Sequence, residues 1–175
     1  MAKITLGGNP IETIGNLPNI NEKAPDFKLT SLDLSHKSLS DFAGKNIILN
    51  IFPSIDTGTC AKSVREFNKK CSTIENTIVI CISRDLPFAQ ARFCGAEGID
   101  NVEMLSDFAS GSFGKLYQLE IINGPLISLH SRVIIVINTK GEVVYTEQVS
   151  EIANEPNYEA CLLYTSDAAD DSECV

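Results

Sequence analysis

Apolar residues gather into a few stretches along the chain, and each stretch predicts an element. Asn46–Phe52 (NIILNIF) and Thr77–Ser83 (TIVICIS) are nearly unbroken apolar runs, the pattern of strands covered on both faces. Val102–Leu105 reads as a shorter strand, and Arg132–Ile137 as a strongly β-branched one. Thr139-Lys140-Gly141 then makes a tight turn into Glu142–Val149, where Val143, Tyr145, Glu147 and Val149 alternate as in a hairpin partner. Helical spacing appears between the strands. Val64, Phe67, Cys71 and Ile74 stripe one face of Thr57–Ile74. A second helix is predicted from Asp85 as cap and Pro87 in the first turn, ending at Gly95. Ser112–Leu119 reads as a short helix, and a last one is expected to begin near Glu155-Pro156-Asn157.

The segment before residue 46 has a different texture. Gly7-Gly8-Asn9-Pro10, Gly15-Asn16-Leu17-Pro18 and Ala24-Pro25-Asp26 are turn signals, and short pieces such as Lys3–Leu6 and Phe27–Leu29 read as small strands or hairpins between them. The resulting order is β-α-β-α-β-(α)-β-β-α. It predicts an α/β domain with a central mixed sheet flanked by helices, compatible with a thioredoxin-like fold carrying an N-terminal β-hairpin. One domain is expected over residues 1–160. Residues 161–175 (CLLYTSDAADDSECV) hold Asp167, Asp170, Asp171 and Glu173, no basic residue and no helical stripe, and are expected to form a disordered or non-native tail.

Charge narrows the function. With 14 basic against 23 acidic residues the net charge is −9, which argues against a general nucleic-acid binder or a protein docked electrostatically on anionic membranes. The apolar runs are far shorter than a membrane-spanning helix requires, and the start shows no signal-peptide pattern, so a cytoplasmic location is expected. In a reducing compartment the 6 cysteines are better read as thiols with packing, catalytic or metal roles than as a disulfide framework.

Those cysteines differ in setting. Cys71 belongs to a helical stripe and Cys81 to a buried strand, positions where cysteine packs as a small hydrophobe. Cys161 and Cys174 lie at or beyond the end of the predicted fold. No closely spaced cysteine pair exists, and His36 and His130 are near no cysteine in sequence, so neither a zinc site nor a C-x-x-C reductase is indicated. Cys60 sits where a loop leaves the first buried strand and enters the first helix. Backbone N–H groups at a helix start favour an anion there, which would activate the thiol as a nucleophile. Position alone equally allows Cys60 to be the first residue of the packing stripe. Cys94 is followed by Gly95 and Gly98, where a helix end can unwind at modest cost. Beside an activated Cys60 it becomes a candidate resolving thiol.

The pattern Pro53-x-x-x-Thr57-x-x-Cys60 resembles the active-site motif of peroxiredoxins. The strings NIFPSIDTGTC, RFCGAEGIDNVEMLSDF, GPLISLHSRVIIVI and EVVYTEQVSEIANEPNYEA are together similar to the thiol peroxidase subfamily of bacterial atypical two-cysteine peroxiredoxins. The resemblance implies a thioredoxin fold and a homodimer that reduces hydroperoxides with electrons from thioredoxin and needs no bound cofactor or metal. It implies Cys60 as peroxidatic and Cys94 as resolving cysteine, joined in a redox disulfide, with Thr57, Arg132 and Pro53 completing the site. Thr59 stands where the family carries valine or another apolar residue, a change expected to alter pocket polarity without removing a catalytic group. Two other readings stay open: a glutathione- or glutaredoxin-linked peroxidase, and a peroxide sensor that passes its oxidation to a protein partner.

Overall fold

The run Asn46–Ile51 (β5) is fully buried and lies at the centre of the molecule. It pairs in parallel with Thr77–Ser83 (β6), Leu49 opposite Ile80, and antiparallel with Val133–Ile137 (β8), Leu49 opposite Ile135. Alternation along these strands sorts their side chains between two cores. Ile47, Leu49 and Ile51 join Ile80, Ile82, Phe113, Tyr117, Val133 and Ile135 on one face of the sheet. Ile48 and Phe52 join Val79, Cys81, Ile134 and Val136 on the other, beneath the first helix. Both faces are covered, which is why these strands read as continuous apolar runs.

The computed structural model describes the backbone of residues 1–173 and the side chains of residues 1–165. Before β5 lie four short strands, Lys3–Leu6 (β1), Asn9–Glu12 (β2), Lys28–Ser31 (β3) and His36–Ser38 (β4). After it follow the helix Gly58–Cys71 (α1), then β6, the helix Pro87–Glu97 (α2), the strand Glu103–Ser106 (β7), the helix Ser112–Leu116 (α3), β8, the strand Val143–Gln148 (β9) and the helix Tyr158–Glu173 (α4). The main sheet has 7 strands in the order β4-β3-β7-β6-β5-β8-β9, and β1 and β2 form a separate antiparallel hairpin. This is the mixed sheet with flanking helices and N-terminal hairpin that the sequence predicts. Glu151 fastens the hairpin, accepting from the Thr5 hydroxyl and the Gly7 and Gly8 amides. Among the described residues no helix is long and apolar enough to cross a membrane.

Several boundaries differ from expectation. Helix α2 does not stop at Gly95; it runs to Glu97 and ends where Gly98 adopts the left-handed conformation, φ 65°, that glycine takes without strain. Nor does Asp85 cap it. Leu86 holds the cap position without a side-chain bond, and the Asp85 carboxylate is engaged elsewhere. Helix α3 is shorter than predicted and stops before Tyr117. The largest difference is at the C-terminus. Helix α4, Tyr158–Glu173, takes in most of the segment read as a tail, and Cys161 and Thr165 are buried within it. Leu162 packs on the α1-side core, and that apolar contact holds a stretch whose composition alone reads as frayed. Cys174 lies outside the described residues.

Candidate active site

The loop between β5 and α1 is shaped residue by residue. Pro53 is buried directly after Phe52, its fixed φ directing the chain out of the sheet. Thr57 is the N-cap of α1, extended at φ −92° and ψ 148°, and its Oγ1 accepts the Cys60 amide at 3.4 Å. The same hydroxyl donates to the Ser54 carbonyl at 3.2 Å. Cys60 is thus the third residue of the helix, and its side chain is fully buried beneath the cap.

Arg132 comes from the residue before β8. Its parity with Ile134 and Val136 puts it on the α1 side of the sheet, the side of Cys60. The guanidinium is 2% exposed, Nε donates to the Ile152 carbonyl at 2.8 Å, and Nη2 lies 3.2 Å from Cys60 Sγ. Among the described residues its Nη1 is buried without a partner. A planar cation is therefore held rigidly against the sulfur with one donor unspent. Thr59 donates to the Ala153 carbonyl at 2.9 Å, next to the carbonyl that orients Arg132. Its hydroxyl is committed to the backbone and stiffens the segment behind the arginine rather than adding polarity to the pocket.

Asp85, at the end of β6, accepts from the Ile55 amide at 2.7 Å, the Ser54 hydroxyl at 2.8 Å and the Ser83 hydroxyl at 2.6 Å. One carboxylate therefore ties the loop that carries Thr57 and Cys60 to the segment that starts α2. Ser63 donates to the Cys60 carbonyl at 2.8 Å and accepts from the Asn50 amide at 3.2 Å, giving the buried start of α1 a second anchor. These contacts join residues about thirty positions apart in the first case and thirteen in the second, and no local spacing signals them.

Cys94 lies on α2, 9% exposed, in the same apolar core as Cys60. All 5 described cysteines are free thiols. Burial pushes the Cys94 thiol up, raises Cys71 to about 11, and drives Cys81 and Cys161 higher still. Cys71 and Cys81 sit in the core as the sequence predicts, and Cys161 joins them. His130 is fully buried and contacts Asp107 at 2.8 Å, while Asp107 also accepts from the Phe113 and Gly114 amides at the start of α3. His36 is exposed on β4.

A family model described as Redoxin matches residues 19–162. The chain belongs to the redoxin family. This redoxin is 53% identical over 162 residues to the thiol peroxidases of Mycobacterium tuberculosis (strain CDC 1551 / Oshkosh) and Mycobacterium bovis (strain ATCC BAA-935 / AF2122/97), alignments that take in 93% of this chain and 97% of each relative. It superposes on the crystal structure of a peroxiredoxin-like protein from Aquifex aeolicus with TM-score 0.90 and 31% identity, over 95% of this chain and 96% of that one. The thiol peroxidase from Chromobacterium violaceum, 21% identical, shares the fold at TM-score 0.88 over 97% of this chain and 98% of its own. The redoxin is accordingly placed among the thiol peroxidases, which are peroxidase oxidoreductases.

Proposed function

We propose that this redoxin reduces hydrogen peroxide and organic hydroperoxides with Cys60 as the peroxidatic residue. The observation that carries the reading is the 3.2 Å approach of the Arg132 guanidinium to Cys60 Sγ, both side chains being buried. The thiolate is the form that attacks peroxide, and the guanidinium stands directly beside the atom that would carry that charge. The Cys60 sulfur bonds to one peroxide oxygen, the O–O bond breaks, and the second oxygen leaves with a proton as water or an alcohol. Charge develops on that departing oxygen. The unspent Nη1 of Arg132 is the donor positioned to meet it; the Thr57 hydroxyl becomes a second donor once it turns from the Ser54 carbonyl, and Pro53 screens the sulfur from bulk water.

The product at Cys60 is a sulfenic acid, which Cys94 condenses with to give an intramolecular disulfide and a second water. Both side chains border one core but stand on different helices as free thiols, and closing that bond is expected to involve local unwinding around Cys94, Cys60 or both. Thioredoxin then returns the pair to thiols by exchange; a cytoplasmic homodimer that needs no bound cofactor or metal belongs to the same reading. The test is peroxide titration followed by mass spectrometry of disulfide-linked peptides. A Cys60–Cys94 link, turnover abolished in Cys60→Ser, and a single oxidation without recycling in Cys94→Ser are expected. Full thioredoxin-dependent turnover by Cys60→Ser would overturn the assignment.

A further inference from the structure

Three side-chain ties converge on the end of α2, around Cys94. Arg65, on α1 and five residues past Cys60, makes a two-pronged ion pair with Glu97: Nε to Oε2 at 3.0 Å and Nη2 to Oε1 at 2.9 Å. The same guanidinium lies over the Phe93 ring, 5.7 Å from its centroid. Phe93 immediately precedes Cys94, and Glu97 stands three residues after it. One turn further on, Asn68 of α1 accepts the Asp100 amide at 3.2 Å and the Asn101 amide at 2.7 Å. On the other side Arg92 pairs with Asp56 of the Cys60 loop at 3.3 Å. Within α2 itself this end is weakly built: Gly95 occupies the helix interior, Gly98 the left-handed cap, and the last turn has no basic residue to meet the helix dipole.

We infer that Arg65 is a positioning residue for the resolving step: its clasp on Phe93 and Glu97 holds the Cys94 turn helical and so slows its release towards oxidised Cys60. The inference rests on the reading of Cys60 and Cys94 as the disulfide-forming pair. In that step the Cys94 sulfur attacks the Cys60 sulfenic sulfur, the S–S bond forms, and the S–O bond breaks. Hydroxide leaves and takes up the Cys94 proton as water; the peroxide consumed earlier supplied both oxidising equivalents. A second peroxide competes for the same sulfenic acid, oxidising it to sulfinic acid. The clasp therefore also sets how much peroxide the enzyme survives. Both partners are partly exposed, with side-chain accessibilities of 47% and 36%, so the restraint is modest and salt-sensitive.

Rapid-mixing kinetics on the reduced full-length protein separate the two steps. Arg65→Ala and Glu97→Gln should leave sulfenic acid formation at the wild-type rate and speed disulfide closure roughly threefold to tenfold, the range for an exposed ion pair plus a cation–aromatic contact. The peroxide concentration that gives half-maximal sulfinic acid, read by intact mass, should rise by the same factor. Salt should speed closure in the wild type and have little effect on either variant. The exchanged pair Arg65→Glu with Glu97→Arg should return closure towards the wild-type rate. Closure that is unchanged or slower in both single variants, with thermal stability within a few degrees of wild type, overturns the inference. Failure of the underlying reading is visible separately, as no Cys60–Cys94 link in the oxidised wild type.

Discussion

At the scale of single residues the site turns on which groups have partners and which do not. Arg132 is tied by Nε to Ile152 and by Nη2 to Cys60, and Nη1, without a partner among the described residues, is the donor the proposed reaction would use. Lysine carries one compact ammonium and cannot reproduce three fixed directions. Arg132→Lys should therefore lower kcat/KM for peroxide by about 10²–10³, the loss associated with removing a donor from a charge-stabilising site. Steady-state assays at saturating reductant check this, and a loss below threefold would remove Arg132 from the first step. The other thiols are set apart by burial. At pH 7, Cys71, raised to about 11, and Cys81, raised further, are almost wholly protonated. Pulse alkylation of the native reduced protein should leave both unmodified, with Cys71 gaining label only as the pH approaches 11. Peptide mapping that finds Cys81 labelled at pH 7 as fast as Cys60 would contradict that ordering. The packing role of these two cysteines was legible from their place in an apolar stripe and an apolar strand. Thr59 was not: only the fold brings Ala153 within reach of its hydroxyl.

The elements meet at Asp85, where the end of β6 holds the loop that opens α1. Removing the carboxylate strands the Ile55 amide and two serine hydroxyls in a half-buried setting. Asp85→Ala should reduce the rate of Cys60 oxidation by about tenfold or more, because small displacements of a reacting group are costly. Asp85→Asn keeps an acceptor oxygen for the Ile55 amide and should recover most of the rate. Equal losses in both variants, matched by equal losses in thermal stability, would reduce Asp85 to a merely structural support. In the sequence this aspartate looked like a helix cap, since Asp followed by proline is a common helix start. Two of its three partners, Ser54 and Ile55, lie about thirty residues upstream and become neighbours only through the parallel pairing of β5 and β6. The same contrast holds for whole elements. β5, β6, β8 and α1 were legible because their patterns record burial on one or two faces. The three-residue β4 was not, because it is held by pairing with β3 rather than by an apolar face of its own. The continuation of α4 past residue 160 likewise depends on contacts with the α1-side core.

Across the whole molecule the buried thiols make stability depend on alkaline pH. In the unfolded chain a cysteine ionises from about pH 8.5, whereas Cys81 in the folded chain is raised well above that by full burial. Above pH 8.5 the unfolded state therefore loses its proton first and binds fewer protons than the native state. Unfolding free energy then falls as pH rises, by about 1.4 kcal/mol per pH unit for each fully shifted thiol. Below that pH both states keep the proton and the contribution of the thiol does not change. Cys71 and Cys161 act in the same direction, as does Tyr145, raised to about 12, once the pH nears the tyrosine range. Urea midpoints of the reduced protein should be level from about pH 7 to 8.5 and then decline steadily. Cys81→Ala lowers stability at every pH by opening a cavity in the core, but it should decline less steeply, by about 1.4 kcal/mol per unit between pH 9 and 10. Parallel curves for the two proteins would show that the core around Cys81 already admits its charged form. The core shared by Cys60, Cys94 and Cys81 would then be more hydrated than its burial suggests, and any exclusion of water from the Cys60 thiol would have to come from the Pro53–Thr57 loop.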